Sequence, residues 1–487
     1  MLDFNQLARQ MQGISQHLVT ESSAMRQKLD YAEVLMEQMP AMQTELMERQ
    51  EKWGDRTIFT AAVPIEPIET RVMIEAAPYA HTVLATDGSQ IAPSHHEIAY
   101  CYLINTGRII LHYGQGKQPL LDSLPEVFYR PEDLFVSRQW GIRTEEWMSY
   151  RRTVTETEVL AELAQWVTQA PTNRNIGNSI ELAMDSTGGT IQTAPHPPIL
   201  GEQEIPKPPE LGVGGGSPEA VLSPIPEPIT EAAATKKRST RTKRTEQLSL
   251  LESQRTRAIP LITPSKIPTI AMVDGSLIYW FLEQLPGEAR DRILQPILTA
   301  WRQLQSIGVP MVGYISASRS GESLNFFRFL TCPYTSPDCQ SHCSNLPDKA
   351  PCQVLEPLRD AAVWARLLNP GQRSPLWRSS AKIQDYYEEQ CIYFCYLHVG
   401  TEVARVEVPE WVAQDATMMT RAMSLVIAQV QKGYGYPVAL AEAHNQAVVR
   451  GGDRSRFFGL LEQQMIRAGL RNVGTSYKEA RKRGSIA

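Results

Sequence analysis

The chain has 487 residues, a formal net charge of −5, 42% hydrophobic residues and 21% charged residues, values typical of a globular protein. This mildly acidic balance excludes a protein coated in DNA-binding basic charge, so any contact with nucleic acid must be local. No apolar run is long enough to cross a membrane, no secretory signal opens the chain, and seven cysteines are not a disulfide framework. We therefore expect a cytoplasmic protein without membrane association.

The first part of the chain is predicted to form a helical arm over residues 1–55. Apolar residues recur there at helical spacing, as at Leu7, Met11, Ile14 and Leu18. Two interpretations are open: the arm packs on its own domain, or it is a dimerisation or partner-docking helix.

From residue 56 onward strands alternate with helices, which indicates an α/β core. We expect one domain in two parts, 56–186 and 266–487. Residues 187–265 between them are rich in proline, glycine and basic residues and poor in large apolar ones. Such a segment cannot offset the entropy cost of ordering, so we predict a disordered insertion. Its basic cluster either touches DNA without sequence preference or is a solvated linker.

Two Asp-Gly-Ser triplets, Asp87–Ser89 and Asp274–Ser276, each follow an apolar run that predicts a buried strand stopped by a turn. Ligand sites in α/β sheets lie at the carboxyl ends of strands, so the two carboxylates are expected at one edge. Phosphodiester hydrolysis uses such carboxylates to hold one or two divalent ions, typically Mg²⁺ or Mn²⁺. The alternative is that Asp-Gly is here only a common turn dipeptide.

Together with the later segment Gly435–His444, these triplets resemble the ordered motifs of the NurA family of nucleases, over about residues 80–450. The resemblance implies an α/β, ribonuclease H-like fold, with a mixed sheet flanked by helices. It also implies Mn²⁺- or Mg²⁺-dependent hydrolysis of DNA, with 5′→3′ exonuclease and single-strand endonuclease action in double-strand break processing. The expected partners are DNA, a second copy of the chain and a HerA-like hexameric ATPase.

The same resemblance assigns the site residues. Asp87 and Asp274 match the two aspartates and would hold metal. Tyr436 and His444, eight residues apart, match the late tyrosine and histidine. Tyr436 would orient a phosphate or a ligand, and His444 would be a metal ligand or a proton carrier.

The family also has a catalytic glutamate on a helix before the second aspartate. The predicted helix over about residues 144–167 occupies that place, and we assign the role, with metal binding, first to Glu158 and second to Glu156. Asp185, after another strand-like run, is a competing ligand.

Two further groups carry candidate chemistry. Ser316, Ser318 and Arg319 follow a predicted strand and are expected to hold the DNA backbone, with a capping turn as the alternative. Four cysteines lie in a proline-rich loop over 332–352 and can satisfy Zn²⁺ or an iron–sulfur cluster, or remain free thiols or a local disulfide. These four are Cys332, Cys339, Cys343 and Cys352.

A different class of function is a non-catalytic DNA-binding or scaffold subunit on the same fold. A third possibility is a phosphoesterase acting on small molecules. Convergence of the acidic side chains would favour the nuclease over the scaffold subunit. A long ridge suited to DNA, rather than a closed pocket, would exclude the small-molecule phosphoesterase.

Overall fold

The computed structural model describes residues 4–93, 99–169, 267–344, 346 and 350–470. These residues belong to one compact unit. The predicted insertion and Asp185 lie outside the described residues.

Within these residues, eleven strands form one mixed sheet. The strands are β1 Val63–Pro64, β2 Val72–Met73, β3 His81–Ile91, β4 Tyr102–Tyr113, β5 Leu120–Phe128, β6 Thr269–Asp274, β7 Met311–Ile315, β8 Gln372–Arg373, β9 Trp377–Arg378, β10 Ile392–His398 and β11 Val403–Pro409.

The heart of the sheet is an antiparallel meander continued by two parallel strands. β5, β4 and β3 pair antiparallel, β6 then pairs parallel with β3, and β7 pairs parallel with β6. Beyond β7, the antiparallel strands β11 and β10 lead to β9 and β1, while β8 and β2 pair beside β10. The predicted α/β fold with a mixed, ribonuclease H-like sheet is confirmed.

The described helices are α1 Phe4–Trp53, α2 Pro131–Phe135, α3 Thr144–Gln169, α4 Gly287–Ile307, α5 Glu322–Thr331, α6 Cys339–His342, α7 Asp360–Leu367, α8 Glu410–Ala413, α9 Ala416–Lys432, α10 Val438–Ala447 and α11 Gly451–Arg467. Short 3₁₀ helices include Trp280–Gln284. The helix predicted over about 144–167 is present as α3.

Side chains alternate across each strand, and this alternation divides the core into two layers. Leu84 of β3 faces the buried apolar residues of α3 and α4. Its neighbours Val83 and Ala85 face those of α9 and α10 on the other side. Helices therefore cover both faces of the sheet, and α3 and α10 approach β3 from opposite sides.

The N-terminal helix behaves differently along its length. Its second half buries Leu35, Met39 and Leu46 in a cluster with residues of α5 and α7. Its first part leaves Met11 and Leu18 exposed. The packed interpretation therefore fits the second half of the arm. In the part of the chain that is described, no helix has the length and apolarity to cross a bilayer.

Candidate active site

Two neighbouring parallel strands bring the two aspartates together. Thr86 of β3 is paired with Val273 of β6, so Asp87 and Asp274 each follow one member of a matched pair. Adjacent strands lie about 4.8 Å apart. The strand register therefore brings the two Asp-Gly-Ser triplets together at one edge of the sheet, as predicted.

The two triplets differ in backbone form. Asp274 ends β6, and Gly275 follows in a turn with φ of +107°, a conformation that favours glycine. The first triplet is not a turn, because β3 continues through it to Ile91. At Gly88 a Cβ would lie 2.4 Å from Glu156 Oε1 and 2.7 Å from Arg152 Cγ. Gly88 therefore permits the close approach of α3, and the turn predicted there is wrong.

Helix α3 presents Glu156 to the aspartates, and Glu158 does not join them. Glu156 lies against Gly88 and pairs with Arg152 at 3.3 Å. Two residues along an α-helix rotate the side chain by about 200°, so Glu158 faces elsewhere. It lines a groove between α3 and α4 with Glu162 and Gln295. The glutamate that α3 places at the aspartates is therefore Glu156, our second choice, and not Glu158; its catalytic role stays a prediction.

The carboxyl groups of this cluster are crowded and partly buried. Burial raises the pKa of Glu156 to about 7; Asp87 and Asp274 add to the rise, while Arg152 opposes it. Burial also raises the pKa of Asp274, and Asp87 adds to that rise, against hydrogen bonding from Tyr436. Because Asp87 disfavours ionisation of both Glu156 and Asp274, a cation among them would stabilise the charged forms of these two acids.

The late motif reaches both aspartates. His444 on α10 places Nδ1 2.9 Å from Asp87 Oδ2, with its side chain 66% exposed. Tyr436, just before α10, hydrogen-bonds through its hydroxyl to Asp274, and burial raises the pKa of that hydroxyl. The Asn105 amide of β4 donates to the Ala447 carbonyl at 2.8 Å and holds the end of α10 on the sheet. Four of the five assigned residues are therefore brought together.

The donor set of this cluster fits a divalent ion in its chemistry. Carboxylate oxygens and one imidazole are ligands that Mn²⁺ accepts, and Mg²⁺ is held mainly by carboxylates. As the side chains are placed, no three His, Cys, Asp or Glu groups among the described residues are arranged to hold a metal. The residues that would hold an ion are Asp87, Glu156 and Asp274, with His444 beside them.

The loop after β7 is built around an acid that the sequence did not single out. Glu402 accepts hydrogen bonds from the Ser316 hydroxyl and the Ala317 amide, both at 2.9 Å. Ser318 is buried, whereas Arg319 is exposed and lies in a pocket with Ser276 of the second triplet. The predicted contact of Ser316, Ser318 and Arg319 with DNA stays a prediction.

A second unpredicted network fixes the turn after Asp274. Buried Glu407 on β11 accepts from the Ser276 hydroxyl at 2.8 Å and the Leu277 amide at 2.7 Å. Arg405 lies 2.7 Å from Glu407 and 2.8 Å from Glu322. The alternation of Arg405 and Glu407 within an apolar strand was the only available signal, since both side chains point to one face.

The four cysteines, Cys332, Cys339, Cys343 and Cys352, line one cavity of about 10 Å³, roughly the space of one water molecule. We call them the four-cysteine cluster. All are free thiols, and burial raises the pKa of Cys332, with its neighbours adding to the rise. The Arg328 guanidinium lies 3.4 Å from the Cys352 sulfur. Their binding of metal stays a prediction.

Comparison with known proteins agrees with the motifs. The NurA domain matches residues 81–449. The crystal structure of the NurA nuclease from Sulfolobus solfataricus has 11% identity and a TM-score of 0.43, covering 96% of this chain and 98% of that one. The crystal structure of NurA with manganese has 8% identity and a TM-score of 0.28, covering 82% and 91%. No curated protein matches the chain. Because the domain match spans well over half of the sequence, the chain belongs to the NurA family.

Proposed function

We propose that the protein is a metal-dependent deoxyribonuclease that hydrolyses phosphodiester bonds at the cluster of Asp87, Glu156 and Asp274. The observation that carries this proposal is the convergence of these acids, with His444 hydrogen-bonded to Asp87, from four separate elements of the fold. A scaffold that had lost catalysis would have no need to bury a glutamate against two aspartates at a cost in stability.

The residues of the chain have distinct tasks in this proposal. Asp87, Glu156 and Asp274 hold Mn²⁺ or Mg²⁺, which when bound lowers the pKa of water and stabilises developing negative charge. His444, largely exposed beside Asp87, carries a proton to or from the reacting oxygens, and Asp87 orients its ring through Nδ1. Tyr436 orients Asp274 through its hydroxyl.

The finer assignments rest on family membership. We propose 5′→3′ exonuclease and single-strand endonuclease action in double-strand break processing, in the cytoplasm. We also propose a homodimer that works with a HerA-like hexameric ATPase. The exposed apolar residues at the start of α1 are available for one of these contacts.

The test is cleavage of end-labelled DNA by the purified protein with Mn²⁺ or Mg²⁺, with EDTA as the blank. We expect Asp87→Asn and Asp274→Asn to abolish cleavage while the thermal unfolding temperature is kept. Glu158→Gln is the matched control, because this residue lies on α3 but faces the groove toward α4. Metal-independent DNA binding without cleavage would instead support the scaffold function.

A further inference from the structure

A polar pocket of about 460 Å³ lies beside the turn that follows the second aspartate, and the DNA contact predicted for Ser318 and Arg319 does not account for its aromatic wall. Its wall includes Ser276, two residues after Asp274, and Trp280 on the following 3₁₀ helix. Ser318 and Arg319 line it from the loop after β7. The volume lies within the range of pockets that bind small ligands. We call this the Trp280 pocket.

Two consecutive aromatic residues, Trp280 and Phe281, are exposed beside buried neighbours, and Trp280 is the one that lines the pocket. Leu277, Ile278, Tyr279 and Leu282 are at most 6% exposed, whereas the Trp280 side chain is 39% exposed. Leaving a large aromatic ring in water forgoes burial free energy. A flat indole at the wall of a polar pocket offers a face on which another ring can stack.

The acids in the pocket are already satisfied by the protein. Both oxygens of Glu407 and both of Glu322 are engaged, by Arg405, Ser276, the Leu277 amide and Ser379. These carboxylates therefore have little capacity left to bind a cation, and part of their charge is neutralised by Arg405. Arg319, by contrast, is exposed and has no ion pair within the described residues.

A ligand that suits this wall has a flat aromatic face and an anionic group. A nucleotide has both: its base stacks on an indole, and its phosphate pairs with a guanidinium and hydroxyls. A base inside a duplex cannot present its face to a side chain, so the nucleotide must be unpaired.

We propose that the Trp280 pocket holds an unpaired nucleotide of the DNA strand, next to the phosphodiester at the acidic cluster. The base stacks on Trp280, and the phosphate lies toward Ser318 and Arg319. This inference rests on the proposed nuclease function, and it makes single-stranded DNA the preferred substrate.

The test measures binding, which does not depend on hydrolysis. A labelled thymidine oligonucleotide is titrated into the full chain in Ca²⁺, beside a blunt duplex of equal length. We expect Trp280→Leu to weaken binding of the single strand by about tenfold, the loss of one stacked base, and Trp280→Phe to keep most of the affinity. Duplex binding should change little.

Two further variants sharpen the result. Phe281→Leu is the matched control, because Phe281 is also 39% exposed but stacks on Tyr150 and does not line the pocket. It should bind like wild type. Arg319→Gln should lower the slope of log affinity against log salt by about 0.7, as expected for one phosphate contact. Titration should also quench tryptophan fluorescence in the wild type more than in Trp280→Phe.

Failure of this inference is distinct from failure of the proposed function. If Trp280→Leu is folded and binds the single strand like wild type, or loses single-strand and duplex binding equally, the pocket is not a nucleotide subsite. Cleavage by that same variant would leave the nuclease function standing. If the wild type binds single strands through Trp280 but never cleaves, the subsite stands and the nuclease proposal falls.

Discussion

Replacing Glu156 by glutamine should stabilise the metal-free protein at high pH while abolishing cleavage. The reason is the position of this acid: its side chain is only 18% exposed, and this burial, to which the charges of Asp87 and Asp274 add, raises its pKa to about 7 from 4.5. The folded protein favours the protonated form of Glu156. The contribution of this group to the unfolding free energy is therefore fully present below pH 4.5, the pKa of the unfolded chain. It is lost as the pH rises through 7.

The size of the effect follows from those two pKa values. Such a shift costs about 1 kcal/mol of unfolding free energy at pH 5.5 and about 3 kcal/mol at pH 8.5. Wild type should therefore lose about 2 kcal/mol over this interval from Glu156 alone, whereas Glu156→Gln, which cannot ionise there, should not.

The assay is urea unfolding of both proteins in EDTA at the two pH values, followed by circular dichroism. The informative quantity is the difference in unfolding free energy between variant and wild type, because other titrating groups largely cancel. The reasoning would be refuted if the difference in unfolding free energy did not grow with pH, or if Glu156→Gln were less stable than wild type at pH 8.5. Either result would show that ionising buried Glu156 does not destabilise the fold.

Three further predictions follow from the structure and the sequence. His444→Ala should keep the unfolding temperature, because the ring is 66% exposed. It should cut cleavage by about 10²-fold while DNA binding in Ca²⁺ changes little. Equal loss of binding and cleavage would instead make His444 a DNA contact. Elemental analysis of anaerobically prepared protein should find about one zinc per chain at the four-cysteine cluster, since four thiols suit tetrahedral Zn²⁺; iron with visible absorbance, or neither metal, would contradict zinc. Replacing residues 190–262 with a short Gly/Ser linker should leave the unfolding temperature and the cleavage rate nearly unchanged, because their composition cannot support a core; a large drop in either would reveal a structured element.

Much of the active-site arrangement could be predicted because its signals are local. The apolar runs before Asp87 and Asp274 define strands. Tyr436 and His444 were assigned only from the resemblance to the NurA family, and the structure places Tyr436 just before α10 and His444 on it. Helix α3 was also predicted, because its apolar residues recur on one side of the helix, the side that packs on the sheet.

What could not be predicted depends on how distant segments meet. The sequence predicts a turn at Gly88, because sequence alone cannot distinguish a glycine that bends the chain from one that admits a neighbouring helix. The same contact decides between Glu156 and Glu158, since the rotation of α3 about its axis is set by packing on β3. The Arg405–Glu407 network joins strands and turns far apart in sequence and leaves almost no local trace.

The parallel pairing of β3 with β6 also has a consequence for how the protein is made. Thr86 meets Val273, while the histidine beside Asp87 is residue 444. During synthesis on the ribosome, Asp87 and Glu156 emerge long before Asp274, and the imidazole of His444 emerges last of the four. A nascent chain that has not yet reached residue 444 therefore lacks one member of the cluster, whatever else of the sheet it has already formed.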